Sequence, residues 1–90
     1  MMLVKFADHK SAQTAMIVKD GIICGLLSYN TIVAELNNDG WLTINGLYSM
    51  TTRRHIGWFM KELGFTYQWA KQLFEDGMAF NIYTGEVKEI

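Results

Sequence analysis

Reactive residue types are few in this 90-residue chain, and most of them crowd into one stretch, Tyr48 to Phe59, which reads YSMTTRRHIGWF. His55 lies in it; His9, its neighbour Asp8 and the single cysteine, Cys24, lie elsewhere. A metal centre is disfavoured, because neither histidine has a second histidine or cysteine at ligand spacing. Asp8 and His9 are adjacent, and adjacency alone does not make an acid–base pair. A nucleophilic thiol needs a polar, electropositive and partly exposed setting. Cys24 instead sits in the apolar run GIICGLL and reads as core. NNDGWLTING carries glycines and acids but has the ligand spacing of neither a phosphate loop nor a calcium loop. No cofactor is expected, and a small enzyme built on His55 or Cys24 is the minority reading.

Binding is the better-supported chemistry for the crowded stretch. On a helix from Thr52 to Leu63 the buried stripe is Thr52, Ile56, Phe59, Met60 and Leu63, which puts Trp58 almost opposite it. Arg54 precedes Trp58 by one helical turn and Lys61 follows by nearly one. Tryptophan and arginine dominate binding hot spots, so Arg53, Arg54, Trp58 and Lys61 form the candidate interaction surface. The structural alternative packs Trp58 against the second helix or the C-terminal segment. Two arginines in a first helical turn oppose the helix dipole, which argues for a surface role. Ser49 or Thr51 can cap the helix, with Tyr48 packing back on the core. His55, on the flank of the stripe, is placed to bond a backbone carbonyl or the Tyr29 hydroxyl as a satisfied, half-buried side chain.

These residues need a scaffold, and the chain supplies turn chemistry at short intervals in its first half. LVKFA, 3 to 7, is a candidate first strand. Residues 8–18 are open between helix and strand, with a strand favoured at about 14 to 19 because Asp20-Gly21 follows, a pair suited to a tight hairpin. IICGLL resumes the extended pattern, SYNT breaks it, IVAEL resumes it again, NNDG turns, and WLTIN alternates with period two. Then come the helix ending before Gly64 and a second one running from the Thr66 N-cap to Gly77, with an apolar arc of Tyr67, Trp69, Ala70, Leu73 and Phe74. MAFNIYTGEVKEI reads as a hairpin or tail. The expected class is α+β: a short antiparallel meander of three to five strands covered by two helices, in a single domain, 1–90.

Composition bounds the partners. Half the residues are hydrophobic, enough for a folded core. A formal net charge of −1 matches neither a general nucleic-acid binder nor an acidic DNA mimic. No apolar run approaches 18 residues and no leader is evident, so a cytoplasmic protein with no membrane partner is expected. Residues 52–76 have the rhythm of a helix-turn-helix, which leaves a nucleic-acid-binding regulator as an alternative. The second helix offers Gln68, Lys71 and Gln72 but also Glu75 and Asp76, so an ordinary helical hairpin is preferred and nucleic acid is not the favoured partner.

SYNTIVA at 28 to 34 together with YSMTTRRH at 48 to 55 is more distinctive than either alone. The pair resembles a small domain of unknown function from proteins of bacteriophages and their hosts, with the pattern S-Y-x-T-x-(I/V)-A followed by Y-S-x-T-T-x-x-H. The resemblance covers about residues 21 to 64 and rests on Ser28, Tyr29, Thr31, Val33, Ala34, Tyr48, Ser49, Thr51, Thr52 and His55. Ile32 stands where that pattern often has proline. The resemblance implies a small phage or prophage protein in a bacterial cytoplasm. Such a protein is expected to bind a host protein or ribonucleoprotein complex, as an inhibitor of host defence or of a host enzyme; a homodimer is compatible with this.

Overall fold

The structure, a computed structural model, describes residues 1–90. Seven strands, β1 (Met2–Val4), β2 (Thr14–Lys19), β3 (Ile22–Ser28), β4 (Thr31–Leu36), β5 (Trp41–Ile44), β6 (Met78–Asn81) and β7 (Val87–Glu89), form one antiparallel sheet in chain order. Helices α1 (Met50–Leu63) and α2 (Tyr67–Asp76) intervene between β5 and β6 and cover one face. The class is α+β, and the strand count exceeds the expected three to five. The C-terminal segment forms the expected hairpin, β6 pairing with β7, and β6 also pairs with β5, placing Leu42 opposite Phe80, so that the hairpin extends the sheet. β1 adds the other margin by pairing with β2. No helix is long and apolar enough to cross a membrane.

Turn chemistry sets most boundaries. Asp20 and Gly21 have φ of 53° and 78°, the left-handed pair that a two-residue hairpin requires. Of the ambiguous stretch 8–18, the part from Thr14 is strand β2, and the part before it is irregular. Ser28 and Thr31 face each other across a turn of only Tyr29 and Asn30. Asn37 shapes the next turn, its Oδ1 accepting from the backbone N–H of Asp39 and Trp41.

α1 begins two residues before the expected Thr52. Its N-cap is Ser49, whose Oγ accepts from the Thr52 N–H at 3.2 Å. This shift places Arg53 and Arg54 at the fourth and fifth helical positions, where opposition to the dipole has weakened. Gly64 closes α1 and Gly77 closes α2, both left-handed, and Thr66 caps α2 through the Trp69 N–H.

The core forms where the helices meet the sheet. Leu26, Val33, Leu42, Ile56, Phe59 and Met60 are closed to solvent. Phe80 is held edge-on by Phe65 and Trp69 at 5.1 and 5.3 Å. Phe74, expected on the buried arc of α2, is exposed, and only Ala70 and Leu73 of that helix are fully covered. Cys24 is not core either. The register steps from Ile17 opposite Gly25 to Val18 opposite Ile23, so Cys24 is the extra residue of a β-bulge and is half-buried.

Candidate functional site

Two neighbouring arrangements occupy the start of α1, one buried and one open. The buried one joins the serines and threonines of the two sequence motifs. Ser28 Oγ, at the end of β3, lies 2.8 Å from His55 Nδ1 and 3.1 Å from Thr52 Oγ1. Ser49 Oγ donates to Thr52 Oγ1 at 3.3 Å. Ser28 and His55 are each only 2% exposed. Burial first, then the charges of Arg54 and Lys5, lower the His55 pKa from its ordinary 6.5. Ser28 Oγ thus stands between Thr52 Oγ1 and His55 Nδ1, and one hydroxyl chain links the helix cap through the sheet to the imidazole. The partner of His55 is thus the Ser28 hydroxyl. The expected Tyr29 hydroxyl is not its partner, and the Tyr29 ring instead lies tilted at 5.8 Å.

A serine hydroxyl on a neutral imidazole is chemically a nucleophile with its base. Both side chains are closed to solvent, and neither lies in the wall of the two cavities. The pair fastens the sheet to the helix. The motif tyrosines stand beside it: Tyr29 and Tyr48 have φ of 55° and 31°, unusual for bulky residues, and are 50% and 62% exposed. Tyr48 does not pack back on the core. Its ring lies over Gly46, where a β-carbon would come within 2.5 Å of Tyr48 Cζ. Thr31 opens β4 and is exposed, and Thr51 is half-buried at the helix start.

The open arrangement is a groove of about 430 Å³ between α1 and α2. Arg53, Arg54 and Lys71 contribute its charge, Trp58 and Tyr67 its aromatic walls, and Gln68 an amide; no carboxylate lines it. The two helices run back along each other after the turn at Gly64, with Tyr67 Cβ beside Gly57, so Lys71 faces the arginines one helical turn nearer the start of α1. Arg53 is half-buried and donates from Nε to the Leu47 carbonyl, whereas Arg54 is exposed. Tyr67 Oη, closed to solvent, is the one buried side-chain polar atom without a hydrogen-bond partner.

Trp58 is not the freely exposed residue of the expected surface, and it does not pack on the C-terminal segment. It is half-buried under the segment before β2: His9 stacks on the indole at 3.6 Å with planes 5° apart, and Phe6 meets it edge-on at 6.0 Å. A second cavity of about 410 Å³ lies on that side, with Lys61 in its wall together with Asp8 and Glu62. The four expected surface residues therefore divide. Arg53, Arg54 and Trp58 border the basic groove, while Lys61 lines the other cavity, which shares Trp58 and holds two carboxylates. Sequence reasoning left Lys71, Gln68 and Tyr67 out of the surface. The available signal was the polar face of the second helix, folded back by the tight turn at Gly64.

Cysteine, histidine, aspartate and glutamate side chains gather nowhere in threes that could hold a metal ion. The model of a family of unknown function (DUF8033) matches residues 2–76, and the chain belongs to that family. No curated protein and no solved structure matches the chain.

Proposed function

We propose that this family member is a non-catalytic binding protein of phage or prophage type, which docks on a host macromolecule in the bacterial cytoplasm and inhibits a host defence or enzyme complex. The observation that supports binding is the groove of α1 and α2. Arg53, Arg54 and Lys71 converge there without a carboxylate, in a chain whose acids outnumber its basic residues nine to eight. Unneutralised cations beside a tryptophan suit recognition of an anionic partner surface. The phage context rests on the paired motifs around Ser28 and His55. Catalysis finds less support, since Ser28 and His55 lie away from both cavities and Cys24 lies in an apolar strand.

The groove also favours a second reading, a nucleic-acid-binding regulator using the helical hairpin, because the cations and the indole lie on one side of it. Affinity capture from host lysate tests the first reading. Wild-type protein is expected to retain a defined host complex and to inhibit it, and a folded Arg54→Gln/Lys71→Gln variant to lose both. Retention by the variant as strong as by wild type would overturn the assignment of this face.

A further inference from the structure

We infer that the groove between α1 and α2 binds the phosphate groups and base of a nucleotide, an inference that rests on reading this face as a binding surface and names the chemistry of its ligand. Two features converge. Arg53, Arg54 and Lys71 concentrate three positive charges in about 430 Å³ with no acid in the wall. A single carboxylate offsets one of them, whereas one phosphate monoester brings about 1.5 to 2 negative charges on three acceptor oxygens. Guanidinium forks match those oxygens bidentately, and lysine serves as a mobile point charge beside them.

The second feature is the apolar share of the lining, Met50, Trp58 and Tyr67, with the Gln68 amide beside them. A bare phosphate uses none of this surface. A base does, by stacking on an aromatic wall and bonding an amide.

Two sources carry this chemistry, a free nucleotide and a single strand of nucleic acid, and titration of the full-length protein followed by tryptophan fluorescence and calorimetry separates them. ADP, inorganic pyrophosphate and a short thymidine oligonucleotide are added at low salt. ADP or the oligonucleotide is expected to bind at least about tenfold more tightly than pyrophosphate. The tighter of the two identifies the source. Arg54→Gln and Lys71→Gln are each expected to weaken binding about tenfold, the worth of one charge-assisted hydrogen bond. Lys61→Gln, outside the groove, is expected to leave it unchanged.

Three results would overturn the inference: no binding of ADP or oligonucleotide at low salt, pyrophosphate binding as tight as ADP, or equal loss in Lys61→Gln and Lys71→Gln. The parent reading fails separately. Host capture that depends on Arg54 and Lys71 but survives nuclease and excess ADP retains the host-binding role and removes the nucleotide. ADP binding without inhibition or capture of any host complex does the reverse.

Discussion

Ser28 Oγ at the end of β3 and His55 Nδ1 in α1 lie 2.8 Å apart, each shielded from solvent, and this bond ties together segments separated by 27 positions. Ser28→Ala leaves Nδ1 without its partner and breaks the hydroxyl chain. A loss of about 1–3 kcal/mol is expected, seen in thermal unfolding as about 4–8 °C per kcal/mol for a domain of this size. Because Thr52 belongs to the same chain, Thr52→Val combined with Ser28→Ala should cost less than the sum of the two. Strict additivity would show that the hydroxyls act independently.

The lowered His55 pKa makes stability depend on pH in a definite direction. The unfolded chain takes up the imidazole proton more readily than the folded one. The contribution is therefore complete above the ordinary value of 6.5, and it is lost as pH falls from there through the lowered folded value. Arg54→Gln removes one of the two charges responsible, so His55 should titrate at higher pH and the acid-side loss should shrink. Proton NMR titration of the imidazole in both proteins checks this. A wild-type His55 titrating at or above 6.5 would refute it.

Trp58→Ala is expected to cost about 2–3 kcal/mol, below the range for a fully buried tryptophan. The damage should be local. The amides of His9 and Ala12, bonded to the Phe6 and His9 carbonyls, should lose hydrogen-exchange protection as the segment under the indole detaches. Lys61→Gln should stay within about 0.5 kcal/mol of wild type. Unchanged exchange at His9 and Ala12 in Trp58→Ala would mean the stacking does not hold this segment.

Tyr29 occupies a left-handed position that asparagine tolerates better. Tyr29→Asn is therefore expected to be neutral or stabilising by up to about 1 kcal/mol in chemical denaturation. A clear loss would show that the contact of the phenol with His55 outweighs the backbone strain.

Local punctuation was legible in the sequence, and long-range contact was not. Asp20-Gly21, Thr66, Gly64 and Gly77 stand where turn and cap chemistry puts them, because each acts on backbone within a few residues. The bundling of the two motifs around His55 was legible too, though its partner is a serine and not a tyrosine. The stacking of His9 on Trp58 depends on how the segment before β2 crosses α1, and no periodicity encodes that. Helical phase put Trp58 opposite the core stripe, but a third element came to cover it. Likewise, MAFN reads as part of a hairpin or tail without saying that β5 is its neighbour. The groove required the pairing of helices, and so Lys71 was visible only as a polar residue on a separate surface.

The order of the strands also bears on how the chain folds. Each strand pairs with its neighbour in sequence, so five of the six pairings close over short connections. Only β5 with β6 must wait for the two helices between them. Folding speed tracks the sequence separation of contacts, and among the strand pairings the entropy of closing a long segment is met once, at that junction. Phe80, gripped by Phe65 and Trp69, is the latch of this event. The same two helices that carry the groove thus form the bridge between β5 and β6, and the closure that completes the sheet also brings the two walls of the groove together.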